Sequence, residues 1–166
     1  MKRKPIKPVT HQRWMLRRDI PEVLAIDVDV FPCPWGEDDF VCALRQRNCI
    51  GWVYTINEIV AGYAVYELHK HRLHLLTLAV RRDQWRRGIG SAIVKRLKDK
   101  LSPQRRKALI CDVADYNLPA HLFLRSCGFV CEGVHTAAWA EEDEDVDAYR
   151  FAYRVGATAE IARADW

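Results

Sequence analysis

A mixed α/β domain, one sheet flanked by about four helices, is what this sequence predicts, and three observations predict it. Apolar runs of strand length alternate with segments whose apolar residues recur every three or four positions. Three strand-like runs follow one another between residues 49 and 80, close enough together to require antiparallel hairpins. A basic, glycine-containing loop then joins the third run to an amphipathic segment, the pattern of strand, loop and helix.

The elements follow in order. His11 to Arg18 reads as a first strand through Trp14, Met15 and Leu16. Asp19-Ile20-Pro21-Glu22 reads as a helix start, with Asp19 as N-cap and Pro21 in the first turn. Val23, Leu24, Ile26 and Val30 give that helix its apolar side, and the prolines of Phe31-Pro32-Cys33-Pro34-Trp35-Gly36 break it. A second helix runs from Asp38 or Asp39 to Arg47 and buries Phe40, Val41 and Leu44. Strands follow at Cys49 to Ile56, Ile59 to Leu68 and Leu73 to Val80, the first two joined tightly at Asn57-Glu58. After the loop, Ala92, Ile93, Val94, Leu97 and Leu101 mark a third helix. Lys107 to Val113 is a strand, and Asn117 to Cys127 a fourth helix with Ala120, Phe123 and Leu124 inward and Gly128 as its terminator. Phe129 to His135 and Tyr149 to Val155 close the sheet, in the order β-α-α-β-β-β-α-β-α-β-β.

At 166 residues the chain suits one compact domain, with a basic arm over 1–9, the domain over 10–155 and a tail over 156–166. Net charge is +4, concentrated at the N-terminus and at Arg81, Arg82, Arg86 and Arg87, which suits an anionic ligand. No run reaches transmembrane length and no apolar segment follows the basic start, so neither a membrane nor export is expected. Six scattered cysteines form no CxxC, and no His/Cys cluster has zinc-ligand spacing. Reduced thiols in a cytoplasmic protein, and no metal, are the expectation.

The loop carries the chemistry. A helix start leaves backbone N–H groups without intrahelical partners and adds positive potential, and glycines let a ligand come close to the backbone. Gly88-Ile89-Gly90-Ser91, preceded by Arg86 and Arg87, therefore reads as a phosphate or pyrophosphate cradle, against the plainer reading of a solvated basic helix start. It is not a dinucleotide fingerprint, since Ile93 stands where the third glycine would be, and no P-loop is present.

Trp85-Arg86-Arg87-Gly88-Ile89-Gly90 resembles the [QR]-x-x-G-x-[GA] loop of the Gcn5-related N-acetyltransferases (GNAT), with Trp85 in place of Gln or Arg. Leu78-Ala79-Val80 resembles the strand end whose backbone, in that superfamily, pairs with the pantetheine arm of acetyl-CoA. Asn117 to Leu124 followed by Gly128-Phe129 resembles N-x-x-A-x-x-x-Y-x-x-x-G-F. Ile26-Asp27, Phe31 to Trp35 and Phe40 look like the helix-loop-helix of RimI-type enzymes, which acetylate the N-terminal amine of a ribosomal protein. The resemblance spans Trp14 to Val155 and implies the GNAT fold, with strands splayed at the cofactor. It implies acetyl-CoA as cosubstrate, held by Leu78, Ala79, Val80, Arg86, Arg87, Gly88, Ile89, Gly90, Ser91 and Asn117. It implies a polypeptide N-terminus, such as that of a ribosomal protein, as acceptor. The basic charge also fits weak nucleic-acid or ribosome affinity, but no direct nucleic-acid binding is expected.

Catalysis needs a base for the amine. The RimI-type base, a Glu five residues before the Asn, falls on Asp112; His74, on the strand leading to the loop, is the alternative. Each also has a structural reading, Asp112 as a strand-end cap and His74 as an ordinary strand histidine. The family's tyrosine acid falls on Leu124, which has no proton to give, leaving Tyr116, Trp139 or water. Trp35 and Trp139 are candidate walls of an acceptor groove, or core. Six acids within residues 141–147 form either a solvated hairpin or a dock for a basic polypeptide. The function expected is protein N-terminal acetylation. Lysine or small-amine acetylation is the alternative, and a CoA-binding sensor with little activity is the alternative of another class.

Overall fold

A computed structural model describes residues 7–136 and 146–156. Among the described residues there are seven strands, β1 (Thr10–Trp14), β2 (Cys49–Ile56), β3 (Ile59–Leu68), β4 (Arg72–Val80), β5 (Ala108–Ala114), β6 (Val130–His135) and β7 (Ala148–Arg154), and four α-helices, α1 (Ile20–Val30), α2 (Glu37–Arg45), α3 (Ile89–Lys98) and α4 (Leu118–Ser126). Single 3₁₀ turns lie at Arg17–Asp19 and Arg82–Gln84. The strands form one sheet in the order β1-β2-β3-β4-β5-β7-β6, the mixed sheet that the element pattern predicts. No helix among the described residues is long and apolar enough to cross a membrane.

Contacts group the chain into two compact units, Met1–Val65 with Thr77–Ile93, and Tyr66–Leu76 with Val94–Trp166. In the first unit β1 pairs antiparallel with β2, from Thr10↔Ile56 to Trp14↔Trp52. The β2–β3 connection is the two-residue turn that the spacing predicts. Asn57 and Glu58 both take positive φ, 49° and 68°, which lets the turn follow the twist of its strands. Val9 donates to Asn57 Oδ1 and accepts from Asn57 N, so pairing reaches back into the segment assigned to the arm.

The first strand is shorter than its apolar content suggests, because a 3₁₀ turn takes over at Arg17. Asp19 sits at the N-cap of α1 as expected, but its carboxylate makes no cap bond to that helix. It turns back instead, accepting from Leu16 N at 2.7 Å and from the Arg13 guanidinium at 2.6 and 2.9 Å. Helix α1 buries Ile20, Val23 and Ile26 together with Asp27, whereas Leu24 and Val30 are only half-buried. Helix α2 buries Phe40 and Ala43 and leaves Val41 and Leu44 half-buried. Trp35 meets Phe40 edge-on at 5.1 Å, and Phe40 meets Tyr63 at 5.6 Å.

In the second unit β5 runs parallel to β4, from Arg72↔Ala108 to Leu75↔Cys111. On its other side it pairs antiparallel with β7 over its whole length, from Ala108↔Arg154 to Ala114↔Ala148. β6 pairs with β7, with an irregularity between Cys131 and Gly133. Asn117 caps α4 by accepting from Ala120 N at 3.2 Å. Gly128 ends the helix at φ 81°, where Phe129 N returns to Leu124 O at 3.0 Å. Leu124 is buried, while Ala120 and Phe123 are half-buried. Lys98 donates to the Cys127 carbonyl, with its ammonium 3.9 Å from the Tyr153 ring centre.

Candidate active site

The loop after β4 is built by its own side chains. Trp85 Nε1–H donates to the Val80 carbonyl at 2.6 Å, so the indole folds back on the strand it follows. The Arg82 guanidinium lies 5.0 Å from that ring and also donates to the Asp29 carbonyl at the end of α1. Arg81 forms a two-point pair with Asp83. Arg81 and Arg82 are therefore committed to holding the loop, and Trp85 closes it where the superfamily pattern has Gln or Arg. Arg86 and Arg87 are exposed.

The backbone then turns sharply. Arg86 has φ 62° and Gly88 φ 80°, and α3 begins at Ile89 with Ala92 N donating to Gly88 O. A Cβ at Gly88 would meet nothing within 4 Å, so the space beside this helix start is open. First-turn N–H groups, exposed guanidinium groups and open space suit a pyrophosphate such as that of acetyl-CoA. Gly62 on β3, unremarked in the sequence, keeps this start in place. A Cβ there would lie 3.1 Å from the Ala79 carbonyl and 3.3 Å from both Ile89 and Ile93.

In the second unit Asp112 and His74 come together. Arg150 binds Asp112 through Nε–Oδ1 and NH2–Oδ2 contacts, both 2.8 Å. His74 Nε2 lies 3.4 Å from Asp112 Oδ2, and His74 Nδ1 lies 3.8 Å from Glu67 Oε2. Burial pushes the Asp112 carboxyl up, but the Arg150 bonds and charge and the His74 charge outweigh it and hold the group below the usual carboxylate range. Burial lowers His74 against the opposing pull of Asp112 and Glu67. Arg150, Glu67 and His69 escape a sequence reading because two strand crossings bring them here, although Arg150 is the register partner of Asp112.

Asn117 spends its side-chain oxygen on capping α4, leaving its amide nitrogen as the donor a ligand could use. Tyr116 is 59% exposed and Leu124 is 4% exposed. Trp139 and residues 141–145 lie outside the described residues. Trp35 is half-buried, and its backbone N–H donates to Asp27 Oδ2 at 2.5 Å. Asp27 also accepts from the Tyr63 hydroxyl, which lies 3.2 Å from Thr77 Oγ1. Burial raises the Asp27 carboxyl above its ordinary value despite these bonds. A signal for this network existed: Asp27 falls on the helical face of Val23 and Val30, where a carboxylate needs partners.

The sequence model of the acetyltransferase (GNAT) family matches residues 20–129. The ribosomal protein bS18-alanine N-acetyltransferase of Escherichia coli strain K12 is 27% identical over 111 residues, 67% of this chain and 74% of the relative. The crystal structure of the ribosomal-protein-S18-alanine N-acetyltransferase from Escherichia coli superposes with a TM-score of 0.77 at 22% identity, covering 92% of this chain and 97% of that one. Arabidopsis thaliana NAA60 in complex with a bisubstrate analogue superposes at 0.79 and 16% identity, covering 89% and 99%. The same protein in complex with acetyl-CoA superposes at 0.74 and 18% identity, covering 89% and 100%. These structures share the fold of this chain. With the family match running from α1 through the glycine loop to Gly128-Phe129, the chain belongs to the acetyltransferase (GNAT) family.

Proposed function

We propose that this protein transfers the acetyl group of acetyl-CoA to the N-terminal α-amine of a polypeptide. The observation that carries the reading is the turn Arg86 to Ile89, with its left-handed Arg86 and Gly88, opening α3 beside open space. There the first-turn amides and Arg86 and Arg87 would hold the pyrophosphate, and the backbone of Leu78 to Val80 would line up the pantetheine. The relatives named for acetylating a ribosomal protein's alanine, and the NAA60 bisubstrate complex, support a polypeptide N-terminus as acceptor. Free thiols at all six cysteines fit a cytoplasmic setting.

In this reaction the amine nitrogen attacks the thioester carbon, the C–S bond breaks, CoA leaves as thiolate and the amine proton passes to a base. The Arg150 pair holds Asp112 as a carboxylate of lowered proton affinity, so in this reading His74 takes the amine proton and Asp112 orients the ring. In this reading the two candidates take the opposite order from that expected on the sequence. Leu124 is apolar and buried, so the thiolate departs without a proton from that position, which a mildly acidic thiol permits. The same residue favours a second reading, a CoA-binding sensor with little turnover. Acetyl transfer to peptides with free and with blocked N-termini, read by intact mass, tests the proposal. Rapid modification of free N-termini alone supports it. Binding of CoA without turnover on any peptide supports the sensor.

A further inference from the structure

We propose that Glu67, His69 and His74 form a binding site for a divalent zinc ion. The three residues lie at the β3–β4 connection. His69 N donates to Arg72 O at 3.0 Å, and antiparallel counting from that bond sets Glu67 directly across from His74. Glu67 and His69, two apart, share one face. The connection is braced, because Arg106 Nε donates to the His69 carbonyl at 2.9 Å.

The result is a convergent donor set. One ligand atom from each residue lies within 4.8 Å of the others. His69 Nε2 is 2.8 Å and His74 Nδ1 3.8 Å from the same Glu67 oxygen, Oε2. Zinc bonds of about 2.0–2.2 Å in a tetrahedral shell separate ligand atoms by roughly 3.3–3.6 Å, so the 2.8 Å His69–Glu67 hydrogen bond would open by several tenths of an ångström and the 3.8 Å His74–Glu67 separation close slightly around an ion. Two imidazoles and one carboxylate are a donor set that zinc takes, with a fourth position open to water. The residues are half-buried, so an ion can reach them and still be partly shielded.

The surroundings complete the argument. His74 faces a carboxylate from each ring nitrogen, Glu67 from Nδ1 and Asp112 from Nε2, but a neutral imidazole has one N–H. Its proton belongs on Nε2, toward the nearer Asp112. That leaves the Nδ1 lone pair 3.8 Å from the Glu67 oxygen that His69 also meets, an acceptor near an acceptor, where a cation would be favourable. A carboxylate behind a ligating histidine is the arrangement that orients zinc ligands, and Asp112 is itself fixed by Arg150. No metal motif was legible because the spacing Glu-x-His-x4-His matches no standard zinc pattern.

Zinc on His74 would also occupy the lone pair assigned above to the amine proton, but the binding test does not depend on that assignment. Tag-free protein, stripped with chelator, is titrated with zinc chloride by calorimetry. It should bind one ion with a Kd of about 10 μM or tighter. His69→Ala and Glu67→Gln, each checked for a wild-type circular dichroism spectrum, should weaken binding by at least about a hundredfold, beyond the loss typical of outer-shell changes. Cobalt chloride should give wild-type protein the intense visible band of a four-coordinate site, lost in both variants. No saturable zinc binding by wild type, or equal binding by wild type and both variants, would overturn the proposal; the latter would place the ion elsewhere on the chain.

Discussion

Arg150 meets Asp112 through two bonds of 2.8 Å, directly across the β5–β7 ladder. The pair stabilises the carboxylate as an anion, and His74 Nε2 lies 3.4 Å from the Asp112 Oδ2 that Arg150 also binds; under the proposed function Asp112 is then an anchor and His74 the base. His74→Gln should therefore lower kcat/KM by about 10²-fold or more, the usual scale of a lost general base. Asp112→Asn, which loosens the base without removing it, should cost only about tenfold. Neither change should alter the KM for acetyl-CoA. Both are measured in chelator-treated protein. The opposite ranking would return the base to Asp112.

The sheet and helices were legible because periodicity reports burial. β2 and β3 have the bounds that their apolar runs predict, and even the Asn57-Glu58 turn could be read from the length of the gap. What failed was side-chain direction. Asp19 occupies a cap position but serves the preceding turn, because Arg13, six residues back, offers a stronger donor. The glycine loop could be read because its amides are contiguous in sequence. The cluster around His74 could not, since Glu67, Asp112 and Arg150 reach it only through strand register.

The two glycines near the loop should respond differently to alanine. At Gly88 a Cβ meets nothing, but φ 80° is a conformation that alanine resists. Gly88→Ala should leave thermal stability within a few degrees of wild type while the turn relaxes and misdirects its amides. CoA affinity by calorimetry should fall more than about tenfold, or roughly 1.4 kcal/mol. Gly62→Ala instead forces a methyl against the Ala79 carbonyl and two isoleucines at 3.1–3.3 Å. It should cost about 1–3 kcal/mol in stability as well as weakening CoA. Wild-type CoA affinity in Gly88→Ala would remove the loop from the binding site.

Asp19 links stability to pH. Burial pushes its carboxyl up, but the Arg13 and Leu16 bonds prevail and hold it below its ordinary value. A carboxylate with a depressed folded pKa adds stability that is complete above its unfolded pKa, near 3.9, and is lost as pH falls through the folded value. Arg13→Ala should destabilise the protein by on the order of 2 kcal/mol at pH 7, as for a hydrogen bond to a charged group. Denaturant melts of the two proteins should converge as pH drops below 4. A constant gap across that range would mean that Arg13 acts through packing alone.

The proposed acceptor is favoured by proton affinity. An α-amine has a pKa of about 7.7–8.0 against about 10.4 for lysine, so near neutrality far more N-termini than lysines are already free to attack. The proposed imidazole base, with no proton donor at Leu124, would suit the easier amine. The six acids of residues 141–147 would speed the approach of a basic N-terminal segment, and salt would screen that advantage. Replacing them by Asn and Gln should raise KM for basic peptides more than for neutral ones, with the difference closing at high salt. Equal effects on both peptide classes would remove the acids from acceptor steering. Preferential acetylation of internal lysines over a free N-terminus would overturn the proposed acceptor itself.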